Sequence, residues 1–269
     1  MSFLTLVLGA LTLLFYATGV ASAVLALRNL DRFAVKWTYL FGFMAFGVHV
    51  LWVLNTAVGV GGFPIHAKWQ GLATAGLIVS AVTLPWGSAS RWLALSLGTQ
   101  ATTAVLVALA LIAHHQRPET APRVFAFDVM LLANLAATSI LLIASSYAAG
   151  YILLDAGLKR RATWGRLRQW PPLTVLSRRF TNLAMLGSVS LAVGLILGIV
   201  QRAQNHYPLV GDVHTWVVGL TLTLFLTVVA SSKLRGLSLR TRAGITVCGG
   251  GLLFVGIAVG ALNLYGSNS

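Results

Sequence analysis

The sequence predicts an all-α, polytopic integral membrane protein with eight transmembrane helices. Of its 269 residues, 57% are hydrophobic and only 9% are charged, whereas a soluble globular protein is about 25% charged. The mean hydropathy is +0.84. The apolar residues form continuous runs without the alternation of a membrane β-barrel strand, so helices are the expected spanning elements.

Eight apolar runs are long enough to span, because a bilayer core of about 30 Å requires about 20 helical residues. The first run lacks a basic leader, so we interpret it as the first helix and not as a cleavable signal peptide. The third run is short, and the fifth is long enough to tilt or to project into the cytoplasm. The sequence therefore predicts a single transmembrane domain over residues 1–269, with helices at about 3–27, 37–59, 69–86, 92–113, 124–154, 181–201, 213–232 and 243–264.

Basic residues identify the cytoplasmic side of the predicted bundle. Fifteen of the 19 follow helices 1, 3, 5 and 7: Arg28, Arg32, Lys36, Arg91, Lys159, Arg160, Arg161, Arg166, Arg168, Arg178, Arg179, Lys233, Arg235, Arg240 and Arg242. The other four are Lys68, Arg117, Arg123 and Arg202. The positive-inside rule therefore predicts cytoplasmic odd loops, both termini outside the cytoplasm, and a multi-pass protein of the bacterial inner membrane. We attribute the net charge of +14 to this topology and to anionic lipid, and we expect no nucleic-acid partner.

The longest cytoplasmic loop is predicted at residues 155–180 and has two interpretations. One is an amphipathic segment at the membrane surface, because its cations are accompanied by Trp164, Trp170 and the stiff pair Pro171-Pro172. The other is a docking surface for a cytoplasmic partner. Its candidate docking residues are Lys159, Arg160, Arg161, Arg166 and Arg168.

All six histidines lie outside the cytoplasm or in the outer half of the predicted bilayer. His49 is within the second helix, where an ionisable side chain is costly and usually has a role in the bundle interior. Trp52 follows one turn later on the same face, so the pair could ligate or stack on a flat apolar cofactor such as haem. A simple interhelical hydrogen bond is the alternative. The outer histidines could hold haem or a metal as a cluster, but an ordinary interfacial position is the favoured interpretation of His66, His114, His115 and His206.

The segment at the start of the seventh helix offers a second candidate ligand. Asp212 suits the N-cap of that helix, and His214 points either into the bundle mouth or at lipid headgroups. Asp128 is the only acidic residue within a predicted span, which disfavours ion transport. The single Cys248 excludes a disulfide framework and a cysteine-built zinc site. No hydrolase, metalloprotease or phosphate-loop motif is present, so we expect no enzymatic activity.

Four sets of segments carry a family resemblance. They are Gly47-Val48-His49 with Gly62-Phe63-Pro64-Ile65 and Gln70-Gly71-Leu72; Pro171-Pro172-Leu173 with Arg179-Phe180 and Leu186-Gly187; Thr215-Trp216 with Lys233-Leu234-Arg235-Gly236 and Arg240-Thr241-Arg242; and Leu262-Asn263-Leu264-Tyr265-Gly266. Together they resemble the cytochrome c assembly superfamily of CcsA/CcmC-type haem-handling proteins, and most closely its HemX-like eight-helix branch. The resemblance implies a haem-handling face outside the cytoplasm, with His49 as the intramembrane ligand and His214 as a substitute outer ligand.

The chain departs from the haem-attaching members of that superfamily at two places. The loop at 202–211 lacks their tryptophan-rich haem-attachment segment, and Asp128 and Asn263 stand where those members have outer histidines. Our leading hypothesis is therefore a non-catalytic haem-handling or cytochrome c assembly-type protein that binds or passes haem through His49, His214 and Trp52. One alternative is an accessory or structural subunit that kept the fold and lost haem binding. A weaker one is a small-molecule or quinone-facing membrane protein with an outer pocket. The expected partners are membrane lipid, haem, and other membrane subunits or cytochrome assembly factors.

Overall fold

The computed structural model describes residues 3–29, 32–60, 68–83, 93–113, 125–159, 170–204, 213–234 and 236–261. Within these ranges the chain forms eight α-helices and no β-strand. The helices are α1 (Phe3–Asn29), α2 (Arg32–Val60), α3 (Lys68–Thr83), α4 (Leu93–Ala113), α5 (Phe125–Lys159), α6 (Leu173–Gln204), α7 (Val213–Leu234) and α8 (Leu239–Ala261). The all-α prediction is confirmed for this part of the chain.

Six of these helices are long and apolar enough to cross a membrane, namely α1, α2, α4, α5, α6 and α8. The other two contain shorter apolar stretches, Trp69–Thr83 in α3 and Trp216–Ser232 in α7. Large hydrophobic side chains remain exposed along the long helices, including Leu14, Leu51 and Ile196. Such exposure suits lipid, which solvates apolar side chains as well as a protein core does. The helices thus agree with the multi-pass membrane protein that the composition predicts.

Several helices extend beyond the apolar runs from which they were predicted. α2 begins at Arg32 and not at residue 37, and α6 begins at Leu173 and not at residue 181. α5 continues to Lys159, so α5 and α6 occupy both ends of the predicted loop at 155–180. The reason is that an apolar run marks only the part of a helix inside hydrocarbon, whereas charged side chains at helix ends reach the headgroup region.

Two helix starts have identifiable local causes. In α6, the amides of Val175 and Leu176 both donate to the carbonyl oxygen of Pro172, at 2.9 and 3.1 Å. A proline at this position suits a first turn, because its fixed φ is helical and its missing N–H is not required there. In α8, Ser238 is the N-cap, and its hydroxyl accepts a hydrogen bond from the amide of Thr241 at 3.2 Å.

One compact unit of the chain comprises Met1–Pro118 and Gly150–Leu176. In it, α1 packs against α2 and α4, and α3 packs against α2 and α4. Small side chains bring α1 close to α4, since the fully buried Ala23 and Ala26 pack against Leu93. The largest fully buried side chains of the unit include Trp52 and Tyr16. This four-helix packing positions the candidate site.

The second compact unit comprises Glu119–Ala149 and Ser177–Ser269. Glycine permits close approach between its helices, because a Cβ added at Gly249 of α8 would lie 2.8 Å from the ring of Phe225 in α7. A polar link joins α5 to α8, where the Ser145 hydroxyl donates to the carbonyl oxygen of Thr246 at 3.0 Å. Small residues and hydroxyl groups are the usual means by which membrane helices associate.

Candidate functional site

His49 lies on the buried face of α2 and is fully inaccessible to solvent. The buried positions of this helix include Ala45, His49, Trp52 and Thr56, which recur every three or four residues and so form one stripe. Leu51, Leu54 and Val58 point away from that stripe and are exposed. The same spacing that predicts a shared face for His49 and Trp52 thus places both inside the packing of α1–α4.

Both ring nitrogens of His49 have protein partners. Nε2 lies 2.9 Å from the carbonyl oxygen of Ala73 in α3, and Nδ1 lies 3.4 Å from the hydroxyl oxygen of Tyr16 in α1. A carbonyl oxygen only accepts, so we assign the proton to Nε2, and Nδ1 then accepts from the Tyr16 hydroxyl. His49 therefore connects α2 to both α1 and α3.

Aromatic rings surround the imidazole on two sides. The Tyr16 ring meets it edge-on, with centroids 5.9 Å apart and planes at 80°. The Trp52 ring is tilted by 32° at 5.7 Å, and Trp69 of α3 in turn stacks on Trp52 at 6.5 Å. The indole Nε1 of Trp52 is buried without a hydrogen-bond partner among the described residues. The cluster is a continuous aromatic surface with one unused donor.

Gly76 gives α3 the space to approach the imidazole. A Cβ added at this glycine would lie 3.2 Å from Cε1 of His49 and 3.4 Å from Cγ2 of Thr103. A contact of that length requires the neighbouring group to move, and the imidazole is held by its two hydrogen bonds. The absence of a side chain at Gly76 is therefore part of the site.

A polar pocket lies next to Tyr16 within the same four helices. The cavity volume of this pocket is about 20 Å³. Its lining consists of Tyr16, Tyr39, Gly42, Ser80, Thr83, Ser96, Thr99, Gln100 and Thr103. All of these except Gly42 bring a hydroxyl or amide group to an otherwise apolar bundle.

The other predicted site residues are placed only in part. His214 belongs to α7, but its side chain lies outside the described residues, as does that of Asp128. Of the candidate docking residues, Lys159 is exposed at the end of α5 and forms an ion pair of 2.8 Å with Asp155. The segment holding Arg160, Arg161, Arg166 and Arg168, and the segments holding His66, His114, His115, His206 and Asp212, lie outside the described residues. The roles of these residues stay predictions.

The hydrogen bonding of His49 is compatible with a haem ligand, but the space around its imidazole is too small for haem. A histidine that ligates a metal usually donates its second ring N–H to a carboxylate, carbonyl or water, as His49 does to Ala73. The imidazole is nevertheless enclosed, and the pocket beside Tyr16 has room for water-sized groups and not for a porphyrin. Among the side chains that the structure describes, no group of three or more His, Cys, Asp or Glu residues is placed to hold a metal ion.

The partners of His49 could be anticipated only in part from the sequence. Tyr16 carries a signal, because it places a polar group inside an apolar run and such groups usually bond between helices. Ala73 carries none, since its contribution is a backbone carbonyl that every residue possesses. Gly76 is one of 27 glycines, and only the packing of α3 against α2 distinguishes it.

No protein-family model matches this chain, and comparison with curated proteins and with solved structures likewise finds no match. The resemblance to the cytochrome c assembly superfamily therefore stays a prediction from the sequence segments that carry it.

Proposed function

We propose that this chain is a non-catalytic, haem-handling membrane protein of the cytochrome c assembly type, which binds or passes haem near its outer face. The observation that carries the proposal is His49, an imidazole inside a membrane-spanning helix whose Nε2 is oriented by a backbone carbonyl at 2.9 Å. A buried ionisable group in a span is costly and usually functional. The adjoining aromatic cluster of Tyr16, Trp52 and Trp69 provides the apolar surface that a porphyrin prefers.

In this proposal the candidate ligands are His49 and His214, with Trp52 as a stacking surface. Haem would supply an iron that binds a neutral imidazole nitrogen. The chain's own part is to hold the imidazole in one orientation and to exclude water from it. Because the imidazole is enclosed in the described packing, occupation would require α1, α2 and α3 to separate around it.

The proposed topology places all eight helices across a bacterial inner membrane, with both termini outside the cytoplasm. The distribution of 15 basic residues against four supports this arrangement. It also places His49 nearer the outer face, since α2 then runs outward and His49 lies in its second half. The basic segment after α5 would face the cytoplasm and contact anionic lipid or another subunit.

The test is an absorption spectrum of the detergent-purified chain, first oxidised and then reduced. Stoichiometric haem is expected, with a Soret band and sharp bands on reduction, and His49→Ala is expected to lower the haem content several-fold without loss of membrane insertion. Asn55→Ala is the matched control, because Asn55 also links α2 to α1, through a 2.9 Å hydrogen bond to Thr5, but brings no imidazole. Absence of haem after expression in a haem-replete host, together with no uptake on titration with haemin, would contradict the proposal.

A second candidate is an accessory or structural subunit that lacks haem. The specific observation in its favour is that both nitrogens of His49 already have partners, so the residue has a sufficient role in joining α1, α2 and α3. In this case His49→Ala lowers the thermal midpoint of the purified protein, and the spectrum of the unmodified protein contains no haem. A haem spectrum that disappears in His49→Ala at an unchanged midpoint would exclude it.

A further inference from the structure

The polar pocket among α1–α4 contains two buried groups without a hydrogen-bond partner among the residues that the structure describes. They are Oε1 of Gln100 and Oγ1 of Thr103, and both residues line the pocket. Gln100 is 7% exposed and Thr103 is fully buried. The two residues are three apart on α4, so their side chains are neighbours on one helix face. An unpaired buried polar group is costly, so these two groups point to a bound ligand that the described side chains do not replace.

Three of the remaining lining hydroxyls donate their protons within their own helices. The hydroxyls of Ser80, Thr83 and Thr99 donate to the carbonyl oxygens of Gly76, Val79 and Leu95 at 2.8–3.0 Å. The amide nitrogen of Gln100 lies 3.0 Å from the hydroxyl oxygen of Ser96, to which it donates. These hydroxyl oxygens still have acceptor capacity, so the pocket favours a ligand that donates hydrogen bonds.

We propose that this pocket binds water, and that the bound water forms hydrogen bonds with Gln100, Thr103 and Tyr16. Water would thereby reach the hydroxyl that contacts Nδ1 of His49. Water both donates and accepts, so it can pair with the amide oxygen of Gln100 as well as with the hydroxyl proton of Thr103. A small cation would satisfy only the first of these. The space of about 20 Å³ exceeds the roughly 10–15 Å³ that one water molecule requires.

The positions of the lining residues indicate the direction from which water enters. Thr83 is the last residue of α3, Ser96 lies in the first turn of α4, and Tyr39 lies in the first third of α2. Tyr16 and Thr103 lie at the middles of α1 and α4, and the hydroxyl of Tyr16 contacts Nδ1 of His49. The pocket thus extends from the end where α3 stops and α4 begins towards His49.

Hydrogen–deuterium exchange of an introduced thiol tests the presence of water directly. The chain has one cysteine, Cys248, so Cys248→Ser provides a cysteine-free background. Thr99→Cys and Thr103→Cys place a thiol in the pocket, and the control Val105→Cys places one at a position of the same helix that is 43% exposed and faces hydrocarbon in a membrane or micelle. A thiol proton exchanges by contact with water, which is small enough for a cavity of about 20 Å³. After transfer to D₂O, the S–H infrared band should therefore disappear at least about tenfold faster in the two pocket variants than in the Val105→Cys control. Equal exchange rates in all three variants overturn the proposal.

A pair of isosteric substitutions provides a second test that requires no reagent. If water pairs with Oγ1 of Thr103, Thr103→Val removes that hydrogen bond, and the thermal midpoint falls by roughly 2–4 °C. Thr221→Val is the matched control, because Thr221 of α7 is 1% exposed and its hydroxyl also lacks a partner among the described residues. It lies outside the lining of the pocket, so its replacement should leave the midpoint unchanged or raise it. A rise in both variants would show that the Thr103 hydroxyl is dry and would overturn the proposal.

Discussion

The imidazole of His49 connects three helices, and the fit of Gly76 against it leads to a prediction. In Gly76→Ala the new methyl group would lie 3.2 Å from Cε1 of His49, so either the imidazole or α3 must move. We expect a loss of about 1–3 kcal/mol in the free energy of unfolding, the usual cost of overpacking. Gly47→Ala is the control, since no atom of the described residues lies within 4 Å of a Cβ at Gly47, and alanine is favoured over glycine within a helix. Thermal unfolding in detergent measures both variants, and equal midpoints would contradict the prediction.

Sequence reasoning anticipated the centre of this site better than its surroundings. The spacing of His49 and Trp52 placed both on one face of α2, and the structure brings their rings to 5.7 Å. The hydrogen bond to Ala73 could not be anticipated, because it depends on which turn of α3 lies opposite His49. Periodicity determines the direction of a side chain from its own helix, whereas its partner depends on the register between two helices.

The contact between α5 and α8 leads to a prediction about helix association. The single hydroxyl proton of Ser145 is shared between the carbonyl oxygens of Leu141 in its own helix and Thr246 of α8, at 2.8 and 3.0 Å. Among the residues with described positions, Ser146 donates within α5 alone, to Leu142 at 3.1 Å. Hydrogen bonds between membrane helices contribute about 0.6 kcal/mol on average and at most about 1.7. We therefore expect Ser145→Ala to lower the free energy of unfolding by about 0.6–1.7 kcal/mol and Ser146→Ala to leave it nearly unchanged. Steric trapping or thermal unfolding in detergent compares the two, and a larger loss for Ser146→Ala would refute the assignment.

The described helices agree with the predicted apolar runs in number and order, but several of them begin earlier than the runs. Every predicted run corresponds to one of the eight described helices, because hydrocarbon requires internally bonded backbone. The starts of α2, α6 and α8 lie four to eight residues earlier than the runs. Their initial turns contain Lys36, Arg178 and Arg240, which are polar but are compatible with a helix outside the hydrocarbon. Ser238 caps α8 by accepting a hydrogen bond from the amide of Thr241, and hydropathy alone does not predict a helix start of this kind.

The number of helices that cross the membrane decides the position of the basic segment after α5. If all eight cross, this segment is cytoplasmic and 15 of the 19 basic residues are inside. If α3 and α7 do not cross, the termini remain outside but the segment between α5 and α6 changes sides. The basic residues inside would then be only Arg28, Arg32, Lys36, Arg117, Arg123, Arg202, Lys233, Arg235, Arg240 and Arg242. The positive-inside rule favours the strongly asymmetric arrangement, although α3 has only 16 residues and a length of about 24 Å.

Reporters inserted at two positions separate these arrangements. A fusion at the C-terminus should report an external location in both, so it serves as the control for insertion. A fusion within residues 160–169 should be cytoplasmic if eight helices cross. A green fluorescent protein inserted there would then be fluorescent, and an alkaline phosphatase inserted there would be inactive. The reverse pattern at that position would show that only six helices cross. The Lys159 end of α5 would then lie outside together with Arg160 and Arg161, and those cations could not dock a cytoplasmic partner. The same two fusions therefore test both the topology and the side on which any partner of this segment must be sought.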